Sequence, residues 1–272
     1  MKLKEAKSLG AEALWLLEKA TGLSVTQLRL SDDNTDLEPN AEQLFLQMIK
    51  ERESHVPLQY ILGYWNFMDL TIKCRPNVLI PRRDTEILAE EAMKFLKSCP
   101  RNPTALDLCT GTGCVGISLA SYCAHIILSD ISTQAVELAE ENAALNELDE
   151  RISFVQSDLF EKIEGHFNLI TANPPYIPTN ELDSLPMEVK KEPQNALDGG
   201  LDGLSYYRAI IPAAYEFLLP GGGLFLEIGS TQGKAVSEML HSNGFKAVVT
   251  VKDLENRDRV IRGTKAARMK NQ

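Results

Sequence analysis

Ala105-Leu106-Asp107-Leu108-Cys109-Thr110-Gly111-Thr112-Gly113-Cys114-Val115-Gly116 is the stretch whose reading decides the fold. Ala105 to Leu108 is a short, largely apolar run of the kind a buried strand shows. Gly111, Gly113 and Gly116 then form Gly-x-Gly-x-x-Gly and open an apolar helix that runs to Cys123. Glycines at this spacing let the backbone turn tightly and approach a ligand closely. The next strand, Ile126 to Leu128, ends at Asp130, roughly 20 residues beyond the first glycine, where a carboxylate can take both hydroxyls of a ribose. The plain alternative is a tight strand–helix turn that holds nothing.

Working outward, strand and helix patterns alternate. A helix from Asp84 to Lys97 precedes the glycine stretch, with Pro100 to Pro103 as the intervening loop. After Asp130 come a helix from Thr133 to Leu145 and strands at Ile152 to Val155 and Phe167 to Ala172. A helix at Tyr206 to Leu218, a strand at Leu224 to Ile228 and a helix at Lys234 to Ser242 follow. Strands at Ala247 to Val251 and Val260 to Ile261 close the chain. Such alternation predicts an α/β fold, a parallel sheet with helices on both faces. Upstream, residues 3–20 and 41–50 carry apolar side chains at helical spacing, joined through the polar stretch Ser31 to Asn40, and Gly63 to Cys74 alternates as a short hairpin does. The expected organisation is therefore a helical domain over 1–75, a linker with the first helix over 76–103, and a catalytic domain over 104–272.

The glycine loop does not by itself separate a dinucleotide dehydrogenase from a methyltransferase. Asp107, an acid inside the first strand, is unusual for a dinucleotide site and suits a cationic ligand such as the sulfonium and ammonium of S-adenosylmethionine. An equally good reading is a carboxylate satisfied by backbone amides of its own turn. Asn173-Pro174-Pro175-Tyr176 is more telling, because it follows a strand and so lies at the carboxyl edge of the sheet, where open α/β folds place ligands. An amide or aromatic amine nitrogen is a poor nucleophile, its lone pair delocalised into the π system. The Asn173 side-chain oxygen and the Pro174 carbonyl can accept hydrogen bonds from such an NH2 and orient it. Proline fixes the backbone that carries this carbonyl, and Tyr176 offers a flat face for a planar group. Taken alone, the two prolines could merely break the chain after a strand.

Composition narrows the partners. A formal charge of −10 and a pI near 5.0 argue against a broad grip on nucleic-acid phosphates, which takes a basic surplus. No apolar run approaches the roughly 18 residues of a membrane span, and the charged N-terminus does not suit a signal peptide. Cys74, Cys99, Cys109, Cys114 and Cys123 lack a Cys-x-x-Cys pair and read as reduced thiols of a cytoplasmic protein. The four histidines lack ligand spacing, so no metal is expected.

With these motifs in order, the chain resembles the HemK/PrmC family, methyltransferases of the glutamine in the Gly-Gly-Gln loop of peptide chain release factors. The resemblance covers nearly the whole chain. It includes Pro57-Leu58-Gln59-Tyr60-Ile61-Leu62-Gly63, the linker Leu79-Ile80-Pro81-Arg82 with Asp84-Thr85-Glu86, and Asp107 to Gly113. Further on it takes in Asn173-Pro174-Pro175-Tyr176-Ile177, Glu192-Pro193 with the glycines to Leu204, and a tail of Lys252-Asp253-Leu254 and Arg257-Asp258-Arg259. Arg83 stands where the family often has proline, Asn256 where it often has glycine, and Leu159 where some members have tryptophan.

The resemblance implies a Rossmann-like, seven-stranded class I methyltransferase sheet with a reversed last strand, and a small, mostly helical N-terminal domain that recognises substrate. It implies S-adenosyl-L-methionine as cofactor, S-adenosyl-L-homocysteine as product, and cofactor contacts at Asp107, Cys109, Thr110, Gly111, Thr112, Gly113, Asp130 and Asn173, with Asp158 and Leu159 flanking the adenine. Asn173, Pro174, Pro175 and Tyr176 would hold the glutamine amide, Asn173, Pro174 and Tyr176 catalytically. The implied partner is a release factor, without direct nucleic acid or membrane, met by a monomer. Enzymes for a ribosomal-protein glutamine and for DNA adenine share Asn-Pro-Pro-Tyr and are the alternatives; the linker and tail here favour the release-factor branch. A dehydrogenase or a silent nucleotide-binding module lacks a use for that motif.

Overall fold

The computed structural model describes residues 1–99 and 101–267. Pro100, from the expected loop before the sheet, and residues 268–272, from the end of the expected catalytic domain, lie outside the described residues. Five short helices come first: α1 (Leu3–Lys7), α2 (Ala13–Thr21), α3 (Val25–Leu30), α4 (Pro39–Glu53) and α5 (Leu58–Leu62). The periodic stretch 3–20 is thus two helices, broken at Gly10, whose φ of 148° ordinary residues avoid. α3 was not expected: six residues bury only Leu28, too little for a periodic signal, yet a local signal exists. Ser24 and Gln27 form a capping box, the Gln27 amide donating to Ser24 Oγ and the Ser24 amide to Gln27 Oε1. Leu3, Leu16, Leu17, Leu28, Phe45, Met48 and Ile61 close one apolar cluster. Trp15 meets Trp65 of the following hairpin edge-on at 6.0 Å.

The hairpin is β1 (Tyr64–Phe67) with β2 (Leu70–Lys73), and α6 (Glu86–Ser98) leads into the sheet. The sheet elements are β3 (Thr104–Leu108), α7 (Cys114–Leu119), β4 (His125–Asp130), α8 (Thr133–Leu145), β5 (Ile152–Gln156) and β6 (Phe167–Ala172). They continue with α9 (Ser205–Phe217), β7 (Leu218–Glu227), α10 (Gly233–Ser242), β8 (Lys246–Lys252) and β9 (Asp258–Thr264). Seven strands lie in the order β5-β4-β3-β6-β7-β9-β8, and β9 runs antiparallel to both its neighbours. The sheet is therefore mixed, with the reversed last strand, and not wholly parallel. β9 extends well beyond the two residues expected, because Arg259 and Arg262 mask its periodicity while Val260 and Ile261 are fully buried.

Strand alternation sorts the core onto two faces. Ala105, Leu128, Leu169 and Phe225 pack under Leu88, Ala92, Val115 and Ala139 of α6, α7 and α8. Leu106, Leu108, Ile170 and Leu226 pack under Tyr207, Ile210, Val236 and Leu240 of α9 and α10. Helix α7 sits so close that a Cβ on Gly116 would lie 2.6 Å from Leu128 Cγ and Cδ1. Gly116→Ala is expected to cost about 1–3 kcal/mol by overpacking a filled core. Urea denaturation measures this, and an unchanged midpoint would mean that Leu128 has room to move. Among the described residues, no helix is long and apolar enough to cross a membrane.

Candidate active site

Chain order turns back at β3: β4 and β5 lie to one side of it and β6 to the other. Such a switch point leaves a crevice at the carboxyl ends of the strands. Here the crevice is a cleft with about 1040 Å³ of empty space, its open mouth included. Its walls include Asp107 to Thr112 at the end of β3 and beyond it, Ser129 to Ser132 at the end of β4 and beyond it, Ser157 to Leu159 after β5, and Asn173 and Pro175 after β6.

The glycine loop is shaped for a ligand's approach. Cys109, Gly111 and Gly113 all have positive φ, and a Cβ built on Gly111 would meet nothing within 4 Å. Gly111 is thus glycine for its φ of 55°, and its bare backbone is accessible. Its amide donates to Asp130 Oδ2 and the Ser132 amide to Asp130 Oδ1, both at 2.9 Å. These bonds aim the carboxylate and leave acceptor sites on both oxygens, since an ionised carboxylate offers about four. Burial raises the Asp130 pKa, opposed by the amides of Ser132, Gly111 and Ile131.

Asp107 is largely engaged within the protein. Its Oδ2 accepts from Thr110 Oγ1 at 2.6 Å and from the Gly116 amide at 3.1 Å, while Oδ1 accepts from Thr171 Oγ1 at 2.7 Å. Burial lifts it to about 6 against these three bonds. The carboxylate ties the loop and α7 to β6 while forming part of the cleft wall. Burial also pushes the Cys109 thiol well above its usual range, so it is no thiolate nucleophile.

Asn173 faces the cleft half-buried and donates from Nδ2 to Thr85 Oγ1 at 3.3 Å. Its Oδ1 has no protein donor among the described residues. Pro174 and Tyr176 do not line the cleft. The Tyr176 hydroxyl donates to Glu227 Oε1 at 3.4 Å, its ring edge lies near Gly229, and its carbonyl accepts from Gln232 Nε2 at 2.9 Å. A stacking face for substrate is thus not presented in this conformation. Sequence reasoning gave no role to several wall residues, among them Asn77, Ile80, Arg82, Thr85, Asn195 and Tyr206. The linker motif around Ile80 and Arg82 was the available signal; it marked a connection without revealing that it folds back over the sheet edge.

S-adenosylmethionine fits this donor set: accessible glycine backbone, a preaimed carboxylate at Asp130 and a second carboxylate in the wall at Asp107. Among the described residues, no group of three or more His, Cys, Asp or Glu is placed to hold a metal. Fold and cleft together define a class I methyltransferase that uses S-adenosylmethionine. The release factor glutamine methyltransferase of Geobacter sulfurreducens is 39% identical over 96% of this chain and 91% of its own length, and that of Moorella thermoacetica 41% over 91% and 88%. The chain belongs to the family of release factor glutamine methyltransferases. Residues 1–63 match the PrmC N-terminal domain family and residues 85–200 the Methyltransferase small domain family. Two solved structures share the fold. One is the 16S rRNA N2 G1207 methyltransferase of T. thermophilus, with a TM-score of 0.55 and 20% identity over 74% of this chain and 49% of that one. The other is the ribosomal protein L11 methylase of Lactobacillus delbrueckii, with a TM-score of 0.52 and 21% identity over 72% and 85%.

Proposed function

We propose that this chain methylates the side-chain amide nitrogen of the glutamine in the Gly-Gly-Gln loop of peptide chain release factors, as a cytoplasmic monomer. The observation that carries the reading is Asn173, which sits at the carboxyl edge of β6 with its NH2 committed to Thr85 and its oxygen left for a ligand. That is the acceptor needed to orient an amide NH2. Relatives that this chain matches nearly end to end carry the corresponding name.

In this reading Thr110 to Gly113, Asp130, Asp158 and Leu159 hold S-adenosylmethionine, and residues 1–75 serve recognition of the release factor. When bound, the cofactor supplies a methyl group on a sulfonium, an activated leaving group needing no metal. The protein's task is orientation and electrostatics. Asn173 Oδ1 accepts from the target NH2, and Pro175 in the cleft wall limits how the amide can lie. Labelled-methyl transfer onto purified release factor and onto its loop Gln→Ala variant tests the reading. Label is expected on the first and not the second; equal labelling of both, or none on either, would overturn it.

Asp130→Ala is expected to weaken S-adenosylmethionine binding by roughly 10- to 100-fold, as loss of a charge-assisted hydrogen bond does. Calorimetry on the folded variant reads this directly, and unchanged affinity would remove Asp130 from the cofactor site.

A further inference from the structure

Leu79 to Arg82 of the linker belong to no helix or strand, yet Ile80 and Pro81 are buried and all four residues line the cleft. Buried backbone outside regular structure must find its hydrogen-bond partners elsewhere. The amide of Ile80, a residue 1% exposed, donates to Glu192 Oε2 at 3.0 Å. The other oxygen, Glu192 Oε1, pairs with the Arg82 guanidinium, so one carboxylate grips the linker twice. Upstream of Ile80, the Tyr60 hydroxyl of α5 donates to the Val78 carbonyl at 2.8 Å.

The linker runs from the cofactor end of the cleft to the target end. Val78 packs against Ala135 and Leu138 of α8, the helix that follows Asp130. Farther along, Thr85 meets Asn173. Glu192 is not itself part of the cleft wall, but Pro193, Asn195 and Ala196 just after it are. Its segment has a firm base beside Tyr176: the Ile177 amide donates to the Leu197 carbonyl at 3.0 Å and the Gly199 amide to the Ile177 carbonyl at 2.8 Å.

We propose that Glu192 is a positioning residue that holds the linker along the cleft as a strap and so retains the cofactor. The inference rests on the reading that S-adenosylmethionine lies in this cleft with Asp130 in its site. The two contacts of Glu192 are unequal. Arg82 has a side chain 39% exposed, so water can replace its partner, and ion pairs open to solvent contribute little. The Ile80 amide is buried, and without an acceptor it bears its full desolvation penalty for as long as the strap is seated. It regains a partner, water, only when the strap lifts. Losing the acceptor therefore shifts the linker toward a lifted state, from which a ligand leaves sooner.

The test compares Glu192→Ala, which removes the acceptor, with Glu192→Gln, which keeps an oxygen for the Ile80 amide, and runs Asp130→Ala and Tyr60→Phe beside them. Dissociation of S-adenosylhomocysteine from the full chain is timed by chasing labelled ligand, affinity is measured by calorimetry, and stability by urea denaturation. Glu192→Ala is expected to speed dissociation by roughly 10-fold, with affinity falling to match. Glu192→Gln should stay within about threefold of wild type, since only the exposed ion pair is lost. A purely structural role would lower stability and leave dissociation from the folded protein unchanged. Wild-type dissociation from Glu192→Ala, or equal acceleration in the Ala and Gln variants, would overturn the proposal. Unchanged affinity in Asp130→Ala would instead sink the underlying reading of the cofactor site. Should Glu192→Ala not fold, Tyr60→Phe decides. It frees the Val78 carbonyl and should speed dissociation by about threefold; a wild-type rate there overturns the proposal.

Discussion

Asn173→Ala is expected to lower methyl transfer by roughly 10²–10³ while leaving S-adenosylmethionine affinity within a few-fold, the cost typical of losing one preorganised polar contact at a reacting centre. Alanine removes both the oxygen that would accept from the target and the amide held by Thr85. Asn173→Asp keeps size and acceptor but adds a charge that must be desolvated beside the substrate. It also turns the Thr85 contact into one between two acceptors unless the hydroxyl reverses. Impairment smaller than that of alanine is expected. Tyr176→Phe should be milder than either, since the ring is tucked beside Gly229 and only its hydroxyl reaches Glu227. Single-turnover transfer with folded variants at saturating cofactor is the measurement. A near-normal rate for Asn173→Ala would dismiss the mechanism, and with it the main reason for assigning this cleft to an amide.

The second large effect is on stability. Burial pushes the Glu227 carboxyl up to about 7 from its ordinary 4.5, opposed by Thr85, Arg259 and Tyr176 and reinforced by Asp84. The folded protein thus holds a proton that the unfolded chain has released, so ionisation of Glu227 destabilises the fold. Its penalty is absent below about pH 4.5, grows as pH rises, and is complete above about 7. The shift corresponds to about 3 kcal/mol. Glu227→Gln cannot ionise, so its unfolding free energy should gain on wild type by about that amount between pH 4.5 and 8. Asp107, lifted to about 6, changes in the same direction but is common to both proteins. Urea denaturation across this range provides the comparison. Parallel curves would show that folding does not neutralise Glu227.

Much of the architecture was legible because it is written in short windows. The helix Thr133–Leu145 and the strand Phe167–Ala172 have the bounds their periodicity predicts. Glycine spacing and a strand-terminal acid marked the loop and its neighbour, and the Gly111 amide does meet Asp130. Where the window was too short or its pattern masked, the reading fell short. α3 shows only a capping box, β9 carries two arginines among its apolar residues, and Gly10 splits an otherwise continuous helical spacing.

The sequence alone determined the alternation of strands and helices, the ligand-accepting turn and the Asn-Pro-Pro-Tyr motif at a strand's end. Periodicity, turn geometry and capping act over a few residues, so their causes and consequences lie in the same stretch of chain. It left the role of Asp107 open between ligand and structure, and only the tertiary structure filled its second oxygen, with a hydroxyl 64 residues away on β6. The same holds for the linker. Arg82 finds Glu192 across 110 residues and Asn173 finds Thr85 across 88. Neither partner carries a local sign of the other, because what brings them together is the turn of the sheet's strand order at β3, set by the packing of the whole chain.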